Sequence, residues 1–250
     1  MGINFGSGFI SPWMNSKEKK AIALIEEWLE KSDRQVYCSV SGGKDSLVAG
    51  HLVRQVFPEC PMVWVNQGRL AEWPDCVELL EYLRSDRHWN LIELCPPVDL
   101  LGLYREYGVP LEGTMDTKID KQINWRLIYS PLQEFEESHG IKGFAWGLRK
   151  SESRNRAFYL KKYGGNHLDK KGRWICSPVG FWTTENIWSY IDMHKLPYPA
   201  MYDIGRTTVR NGPPIGTTGA NWGRLAMLRR HFPEFYAKFV KEFPEVANYG

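Results

Sequence analysis

The stretch QVYCSVSGGKDSLVAGHLVRQVF, from Gln35 to Phe57, decides the fold. Residues 35–40 form an apolar run rich in β-branched and aromatic side chains, which is typical of a buried strand. The adjacent glycines Gly42 and Gly43 cannot continue that strand, and they indicate a tight turn. From Asp45 onward, apolar residues recur at helical spacing. The sequence therefore predicts a strand, a polar turn and a helix that begins at the turn.

The turn carries residue types that suit a phosphate group. Backbone N–H groups and the dipole at the start of a helix favour an anion there. Serine hydroxyls add donors, lysine adds a positive charge, and glycine lets the anion approach the backbone. An ordinary glycine turn with a capping serine is the alternative, but the combination of side chains around the glycines favours a phosphate site. The predicted nucleotide-binding residues are Ser41, Gly42, Gly43, Lys44, Asp45 and Ser46.

The same turn does not match the Walker A loop, which requires Gly six residues before Lys-Ser or Lys-Thr. Cys38 holds that position here, and Asp45 follows Lys44. SGGKDS instead resembles the PP-loop of the ATP pyrophosphatase superfamily. The resemblance implies that ATP is cleaved between its α and β phosphates while the loop holds the departing pyrophosphate. Asp45 is either a first-turn carboxylate stabilised by the helix dipole or the ligand of a Mg²⁺ ion shared with the phosphates.

A second anion-binding arrangement follows a later predicted strand, residues 143–147. Gly147 and Arg149 stand at the strand end, and Ser153 and Arg156 follow on the first turn of a helix. This segment resembles the G-x-R-x-x-E-S-x-x-R pattern of the phosphoadenosine phosphosulfate (PAPS) reductase branch of the superfamily. The resemblance implies that Arg149 and Arg156 contact the nucleotide phosphates or the substrate anion. A solvated basic helix start is the alternative. The predicted catalytic residues are Lys44, Arg149 and Arg156, with Gly147 and Ser153 in the nucleotide site.

Predicted strands and helices alternate along the chain. Further buried strands are expected at residues 62–66 and 91–95, and this alternation predicts an α/β fold with a doubly wound parallel sheet and flanking helices. Ligands then collect at the carboxyl ends of the strands. Asn66 lies at such an end, and the resemblance implies that adenine is received there, although Asn66-Gln67-Gly68 replaces the more frequent Asp-Thr-Gly. The resemblance also implies a fold of the adenine nucleotide α-hydrolase type.

The chain length of 250 residues suits one large domain with an appendage. We expect residues 1–200 to form the PP-loop nucleotide-binding α/β domain, beginning with a loose arm. Residues 201–250 are expected to add a lid loop, which carries Arg206 and Arg210, and a helical extension interrupted at Pro233. A basic face on that extension is either solvated or a contact for nucleic acid or a partner protein. Its residues are Arg224, Arg229, Arg230 and His231, beside Trp222.

Composition excludes several classes of protein. A net charge of +3 argues against a dedicated duplex-binding protein, and no apolar run is long enough to span a membrane. The N-terminus does not resemble a signal peptide, so we expect a cytoplasmic protein. The five cysteines show no C-x-x-C spacing, so neither a disulfide framework nor an Fe–S cluster is expected. Cys38 and Cys95 fall in apolar runs and are expected to be buried.

The resemblance leaves three functions open, because the branch includes PAPS reductases, the small subunit of bacterial ATP sulfurylase and a class of FAD synthetases. The E-C-G-L-H segment used by the reductases is absent from this sequence, whose last cysteine is Cys176. We therefore favour transfer of AMP from ATP to a small sulfate-like or phosphate-like anion. The alternatives are a PAPS or APS reductase that uses another thiol, such as Cys176, and a non-catalytic nucleotide-binding accessory of a nucleic-acid modification or defence system. A partner subunit or a homo-oligomer is compatible with each.

Overall fold

The structure, a computed structural model, describes residues 2–9, 13–68, 70–111, 117–206, 209, 212 and 223–248. Its strands are β1 (Ile3–Phe5), β2 (Val36–Ser39), β3 (Met62–Val65), β4 (Leu91–Leu94), β5 (Gly143–Ala145), β6 (Asn166–Leu168), β7 (Trp174–Cys176) and β8 (Pro197–Pro199). Its α-helices are α1 (Met14–Lys31), α2 (Lys44–Val56), α3 (Pro74–Ser85), α4 (Leu100–Tyr107), α5 (Thr117–Asn124), α6 (Ser130–Ser138), α7 (Arg154–Tyr163), α8 (Thr184–Met193), α9 (Arg224–His231) and α10 (Pro233–Glu242). None of these helices combines the length and apolar character that crossing a bilayer requires.

The main sheet has the strand order β4-β3-β2-β5-β7-β6, which confirms the predicted α/β fold with a mostly parallel sheet and flanking helices. The central strand β2 runs parallel to both neighbours, with Cys38 opposite Met62 and Tyr37 opposite Phe144. β7 continues the parallel order beside β5, whereas β6 is antiparallel to β7. The polar residues between β6 and β7 therefore form a hairpin turn. Because parallel strands share one carboxyl edge, the ends of β2 and β5 lie side by side.

Helices cover the sheet because their apolar stripes match its buried face. In α1 the stripe includes Ala21, Ile25 and Trp28, all of which are buried. The Trp28 indole N–H donates to the carbonyl of Trp174 at 2.9 Å, which fixes α1 over β7. In α2 nearly every apolar side chain is buried, so this helix is held by packing along its whole length.

Two local predictions are corrected by the structure. The arm expected to be loose contains β1, which pairs antiparallel with β8 and places Asn4 opposite Tyr198. Cys95 is exposed rather than buried, because β4 ends at the residue before it. Residues 117–138 are helical and include a π-helical turn, Trp125–Tyr129, after which Pro131 stands in the first turn of α6, where its missing N–H costs little.

The chain divides into two compact units. The first comprises Met1–Trp64, Pro74–Glu93 and Phe135–Asn211, and the second comprises Val65–Trp73, Leu94–Glu134 and Gly212–Gly250. The division predicted at residue 200 stays a prediction about domains. Most of the predicted lid, with Arg210, and Trp222 lie outside the described residues.

The second unit is held by aromatic pairs. The Trp73 ring lies 5.2 Å from that of Phe232, and the Tyr104 ring lies 6.1 Å from that of Phe243. The helical extension is interrupted at Pro233 as predicted, since α9 ends at His231 and Pro233 opens α10. Its basic face is smaller than expected, because Arg224 is buried.

Candidate functional site

The turn between β2 and α2 depends on two glycines. Gly43 is the N-cap of α2 in an extended conformation and, having no side chain, leaves the helix start without a side-chain cap. Gly42 has a φ of +69°, and a Cβ there would lie 2.7 Å from the carbonyl oxygen of Cys76. Only glycine satisfies both the left-handed backbone and the close approach. The sequence therefore produces an uncapped helix start of the kind that accepts an anion.

Two serines hold this turn closed. The Ser46 hydroxyl donates to the carbonyl of Gly43 at 2.9 Å and accepts the backbone N–H of Ser41 at 3.1 Å. The two serine hydroxyl oxygens lie 3.3 Å apart. Both hydroxyls therefore shape the turn in the unliganded chain, besides being available as donors to a ligand.

Two buried cations share one carboxylate beside the turn. The Lys44 Nζ lies 3.0 Å from Asp45 Oδ2, and the Arg149 Nε lies 2.7 Å from Asp45 Oδ1. Lys44 is 5% exposed and Arg149 is 3% exposed. Charged groups are buried only where partners compensate them, and here two positive charges contact one carboxylate, while the exposed Glu185 adds a solvent-screened attraction to Arg149. The cluster therefore retains an excess positive charge that an anionic ligand would neutralise.

Gly147 brings Arg149 to this cluster across 104 residues of sequence. A Cβ at Gly147 would lie 2.5 Å from the carbonyl carbon of Asp45 and 2.5 Å from the backbone nitrogen of Ser46. The segment after β5 thus packs directly against the first turn of α2. The structure therefore brings Gly147 and Arg149, from the second predicted anion site, against the first predicted site at residues 41–46.

Three further residues contact the cluster. The backbone N–H of Lys44 donates to the Tyr202 hydroxyl at 3.3 Å, and the Lys44 Nζ lies 5.2 Å from the centre of the Tyr202 ring. The Arg149 Nη1 donates to Ser151 Oγ at 2.7 Å and to Thr184 Oγ1 at 3.4 Å. Sequence reasoning did not assign Ser151 or Thr184 to the site. Thr183, next to Thr184, caps α8. The sequence spacing does not indicate which of these two threonines contacts an arginine.

The second half of the predicted arrangement behaves differently. Ser153 is the N-cap of α7, and its side chain accepts the backbone N–H of Arg156 at 3.2 Å. Glu152 accepts the Arg149 backbone N–H at 2.9 Å and pairs with the Arg156 guanidinium. The Arg156 side chain is 44% exposed. Among the described contacts, Arg156 therefore does not join the cations at Asp45, and its contact with a nucleotide stays a prediction.

Asn66 belongs to the second compact unit. Its Oδ1 accepts the Gly68 backbone N–H at 3.0 Å, which closes a short turn after β3. Gly68 has a φ of +100°, and a Cβ there would lie 2.4 Å from the Asp99 Cβ. These contacts define the local shape of the turn, and the role of Asn66 in adenine binding stays a prediction.

The predicted magnesium ligand is already engaged by cations of the chain. Both Asp45 oxygens face such a cation, and no group of three His, Cys, Asp or Glu side chains suited to a metal occurs among the described residues. In this arrangement Asp45 serves the cations, so its side chain does not fit a Mg²⁺ ligand without exchanging those partners. The assignment of Asp45 as a Mg²⁺ ligand therefore stays a prediction.

Most of the thiols are buried away from solvent. Burial raises the pKa of the Cys176 thiol, and it likewise raises the pKa of Cys38. Burial also raises the pKa of Cys60 to about 12. Since the thiolate is the nucleophile, these three are poorly suited to attack a substrate at neutral pH. Cys95 is the exposed thiol.

Comparison with known proteins gives a consistent result. The profile of the phosphoadenosine phosphosulfate reductase domain family matches residues 35–211. An uncharacterized protein of Methanocaldococcus jannaschii is 25% identical over 245 residues, covering 95% of this chain and 48% of its own length, so the chain spans about half of that relative. A phosphoadenosine 5'-phosphosulfate reductase of Xanthomonas campestris is 27% identical over 182 residues, covering 72% of this chain and 71% of its own length.

A solved structure shares the fold. The crystal structure of the PAPS reductase from Candida auris in complex with phosphate aligns with a TM-score of 0.59 and 15% identity. The alignment covers 83% of this chain and 98% of that one. At this level of identity the likeness concerns the fold alone.

Proposed function

Because the chain belongs to the phosphoadenosine phosphosulfate reductase domain family, we propose that it binds ATP or a related adenine nucleotide at residues 41–46. We propose further that it transfers AMP to an anionic acceptor and releases pyrophosphate. Relatives in this family are enzymes that act on adenine nucleotides by name, which supports the general class. The matched segment contains Lys44, Asp45 and Arg149 together.

One observation carries the proposal: Lys44 and Arg149 are both buried at an uncapped helix start and share the single carboxylate of Asp45. An isolated buried charge is costly, and a shared partner compensates only in part. A polyphosphate would supply the missing negative charge at the place where backbone N–H groups also point. This combination favours a nucleotide over a neutral ligand.

The proposed reaction needs little covalent chemistry from the protein. An acceptor oxygen forms a bond to the α phosphorus, the bond from that phosphorus to the bridging oxygen breaks, and pyrophosphate leaves with the electron pair. Negative charge grows on the departing group, where fixed cations stabilise the transition state more than the ground state. Lys44 and Arg149 are suited to this role because the surrounding contacts hold both side chains in place.

The experiment compares nucleotide binding by calorimetry and pyrophosphate release with sulfate-like and phosphate-like acceptors. We expect Lys44→Ala to lose at least about a hundredfold in each, the size typical of removing one preorganised charge-stabilising group. Lys20→Ala is the matched control, since Lys20 is exposed on α1. Equal ATP affinity in wild type and Lys44→Ala would contradict the proposal.

A second candidate function is reduction of PAPS or APS, which the names of the Xanthomonas relatives favour. The burial of Cys176 argues against the thiol first suggested by the sequence, and the exposure of Cys95 leaves that residue as the accessible one. Sulfite release in the presence of thioredoxin, lost in Cys95→Ser and kept in Cys176→Ser, would establish this function. Tighter binding of PAPS or APS than of ATP would point in the same direction.

A further inference from the structure

Positive charge is concentrated in one segment of the chain. Residues 149–173 contain nine Lys and Arg against two acidic residues, Glu152 and Asp169. The segment is thus more positive than the whole chain, whose net charge is +3, and the remainder of the chain is net negative. Both acidic side chains are already engaged, Glu152 by Arg156 and Asp169 by Arg173. The segment therefore keeps a large excess of positive charge.

The helix at the centre of this segment packs on the protein through Leu160 and Tyr159, whose ring contacts Trp146 and whose hydroxyl lies 2.6 Å from His167 Nε2. Leu160 is the buried residue of α7, and the helix carries Arg154, Lys161 and Lys162 on its exposed surface. Among the described residues, none of these three cations forms an ion pair. By contrast, Lys31 of α1 pairs with Glu27 one turn earlier. These three positive charges are therefore available to an anionic partner outside the chain.

Exposed aromatic rings lie among these cations. Phe158 is 71% exposed, and helical spacing places it beside Arg154 four residues before and beside Lys161 and Lys162 three and four residues after. A single exposed apolar side chain needs no explanation, whereas an apolar patch rimmed by polar residues marks an interaction site. Phe158 has such a rim of charged side chains on the exposed surface of α7.

One more exposed ring lies beside the segment before the helix. The Lys150 Nζ lies 5.4 Å from the centre of the Phe181 ring, which is 45% exposed, and the backbone N–H of Lys150 donates to the carbonyl of Gly180 at 2.9 Å. At the last residue of the helix, the Lys162 Nζ lies 4.8 Å from the centre of the Tyr163 ring, but that ring already stacks on His167 with centroids 5.0 Å apart. Phe158 and Phe181 are therefore the two rings that the proposal uses.

We propose that this surface binds a strand of single-stranded nucleic acid, with the cations on its phosphates and the rings stacked on its bases. The α7 surface is formed by Lys150, Arg154, Phe158, Lys161, Lys162 and Phe181. Alternating cations and exposed aromatic rings bind unpaired strands with little sequence preference, because every base offers a face for stacking. A duplex hides those faces and would leave the rings unused. A protein partner with an acidic surface is the other occupant of this kind of surface, and a failure to bind oligonucleotides would favour it over this proposal.

The surface is distinct from the Lys44–Arg149 site, so the two proposals fail separately. Lys150 follows Arg149 in the chain, but the α7 surface uses none of the side chains that contact Asp45. Lys44→Ala is therefore expected to lose nucleotide binding and to keep nucleic-acid binding. A variant of the α7 surface is expected to show the opposite.

The experiment measures fluorescence anisotropy of labelled oligonucleotides of about 20 nucleotides with the full chain, as single-stranded RNA, single-stranded DNA and duplex. We expect Lys161→Glu/Lys162→Glu to weaken single-strand binding about tenfold or more. The slope of log affinity against log salt should also be shallower by about 0.7 for each phosphate that the variant no longer neutralises. Lys19→Glu/Lys20→Glu on α1 is the matched control, because it makes the same charge change on exposed lysines of another helix. An unchanged thermal unfolding transition in each variant shows that the fold is kept.

The aromatic contribution separates this proposal from general attraction of anions. Stacking of a base on one ring is worth about fivefold or more in affinity, so Phe158→Ala should lose at least that much. Trp13 is a similarly exposed aromatic residue beside the start of α1, and Trp13→Ala should bind like wild type. Tighter binding of the single strand than of the duplex supports the proposal. It is overturned if Phe158→Ala binds like wild type, if the two lysine pairs have equal effects, or if anionic vesicles bind where oligonucleotides do not.

Discussion

The starts of α2 and α7 were both predicted to bind anions, yet the structure builds them differently. α2 begins at Gly43 with no side-chain cap, and the cations beside it are almost fully buried. α7 begins at Ser153, whose own side chain caps the helix, and its Arg156 is paired with Glu152 in solvent. The first arrangement has no side-chain cap and leaves part of its charge uncompensated. The second has both a side-chain cap and a paired charge within the chain.

The difference shows that a matching motif does not by itself define a binding site. Serine and arginine at a helix start are compatible with an anion site and with a self-capped, solvated helix. What separates the two is whether the local donors and charges already have partners. In this protein the carboxylate of Asp45 is shared by two cations, whereas Glu152 has one exposed arginine and one backbone N–H.

The largest expected effect tests this contrast on the two arginines. Arg149→Ala removes a buried guanidinium, which is one of the two cations that contact Asp45. Nucleotide binding should therefore fall by about a hundredfold or more. Arg156→Ala removes a guanidinium that is 44% exposed, and surface pairs of this kind contribute at most about 1 kcal/mol. Calorimetric titration of both variants with ATP measures the difference. A larger loss in Arg156→Ala would reverse the comparison and favour the arrangement implied by the family resemblance.

The next effect concerns stability at the α2 turn. Gly42→Ala combines the strain of a φ of +69° with a clash against the Cys76 carbonyl, and we expect it to lower the free energy of unfolding by about 2–5 kcal/mol. Gly140→Ala is the matched control, since Gly140 has a φ of +61° with nothing within 4 Å of its Cβ position. That variant should cost only about 1 kcal/mol. Denaturant titration compares the two, and equal losses would mean that the close approach at Gly42 is easily relieved.

A pH-dependent effect follows from the burial of α2. Burial first, and then the charges of His194, Arg54 and Arg87, lower the pKa of His51 from 6.5 to about 4. The unfolded chain therefore takes up a proton at a higher pH than the folded chain does, so the stability that a neutral His51 provides is present above pH 6.5 and is lost as the pH falls towards 4. The loss amounts to about 3 kcal/mol at most.

Two histidine variants test this sign. The free energy of unfolding of His51→Gln should depend less steeply on pH between about 6.5 and 4 than that of wild type. His167 stands beside α7, where partial burial also lowers its pKa, and His167→Gln should change the slope less because the residue is half-buried. A slope that stays unchanged in His51→Gln would show that the pKa of His51 is the same in the folded and unfolded chains, which would contradict the prediction.

The smallest expected effect is the cap of α7. Ser153→Ala removes the acceptor for the Arg156 backbone N–H and should lower the free energy of unfolding by about 1 kcal/mol, while Ser153→Gly should cost only a few tenths. Thermal unfolding measures both. A loss of nucleotide affinity in Ser153→Ala without a loss of stability would instead place Ser153 in the nucleotide site.

Local patterns predicted the strand–turn–helix at residues 36–56 and the parallel order of the sheet, because strand composition, paired glycines and helical spacing all act over a few residues. They also predicted the interruption at Pro233. Each of these features depends on residues that are close in sequence, so the sequence alone is enough to predict it.

Features that join distant segments were not predicted. The pairing of Arg149 with Asp45 depends on how closely Gly147 approaches α2, and no spacing encodes that distance. The pairing of β1 with β8 joins three-residue strands almost two hundred positions apart, which are too short for a periodic signal. The exposure of Cys95 depends on the strand ending one residue early, within the usual uncertainty of element boundaries.

The pairing of β1 with β8 also has a consequence for how the chain is made. Residues 3–5 leave the ribosome well before their partner at residues 197–199, because almost two hundred residues separate the two strands. During that interval β1 cannot pair with β8, while the local hairpin of β6 and β7 joins strands that are made only a few residues apart. Residues 3–5 are therefore synthesised long before their native strand partner is available.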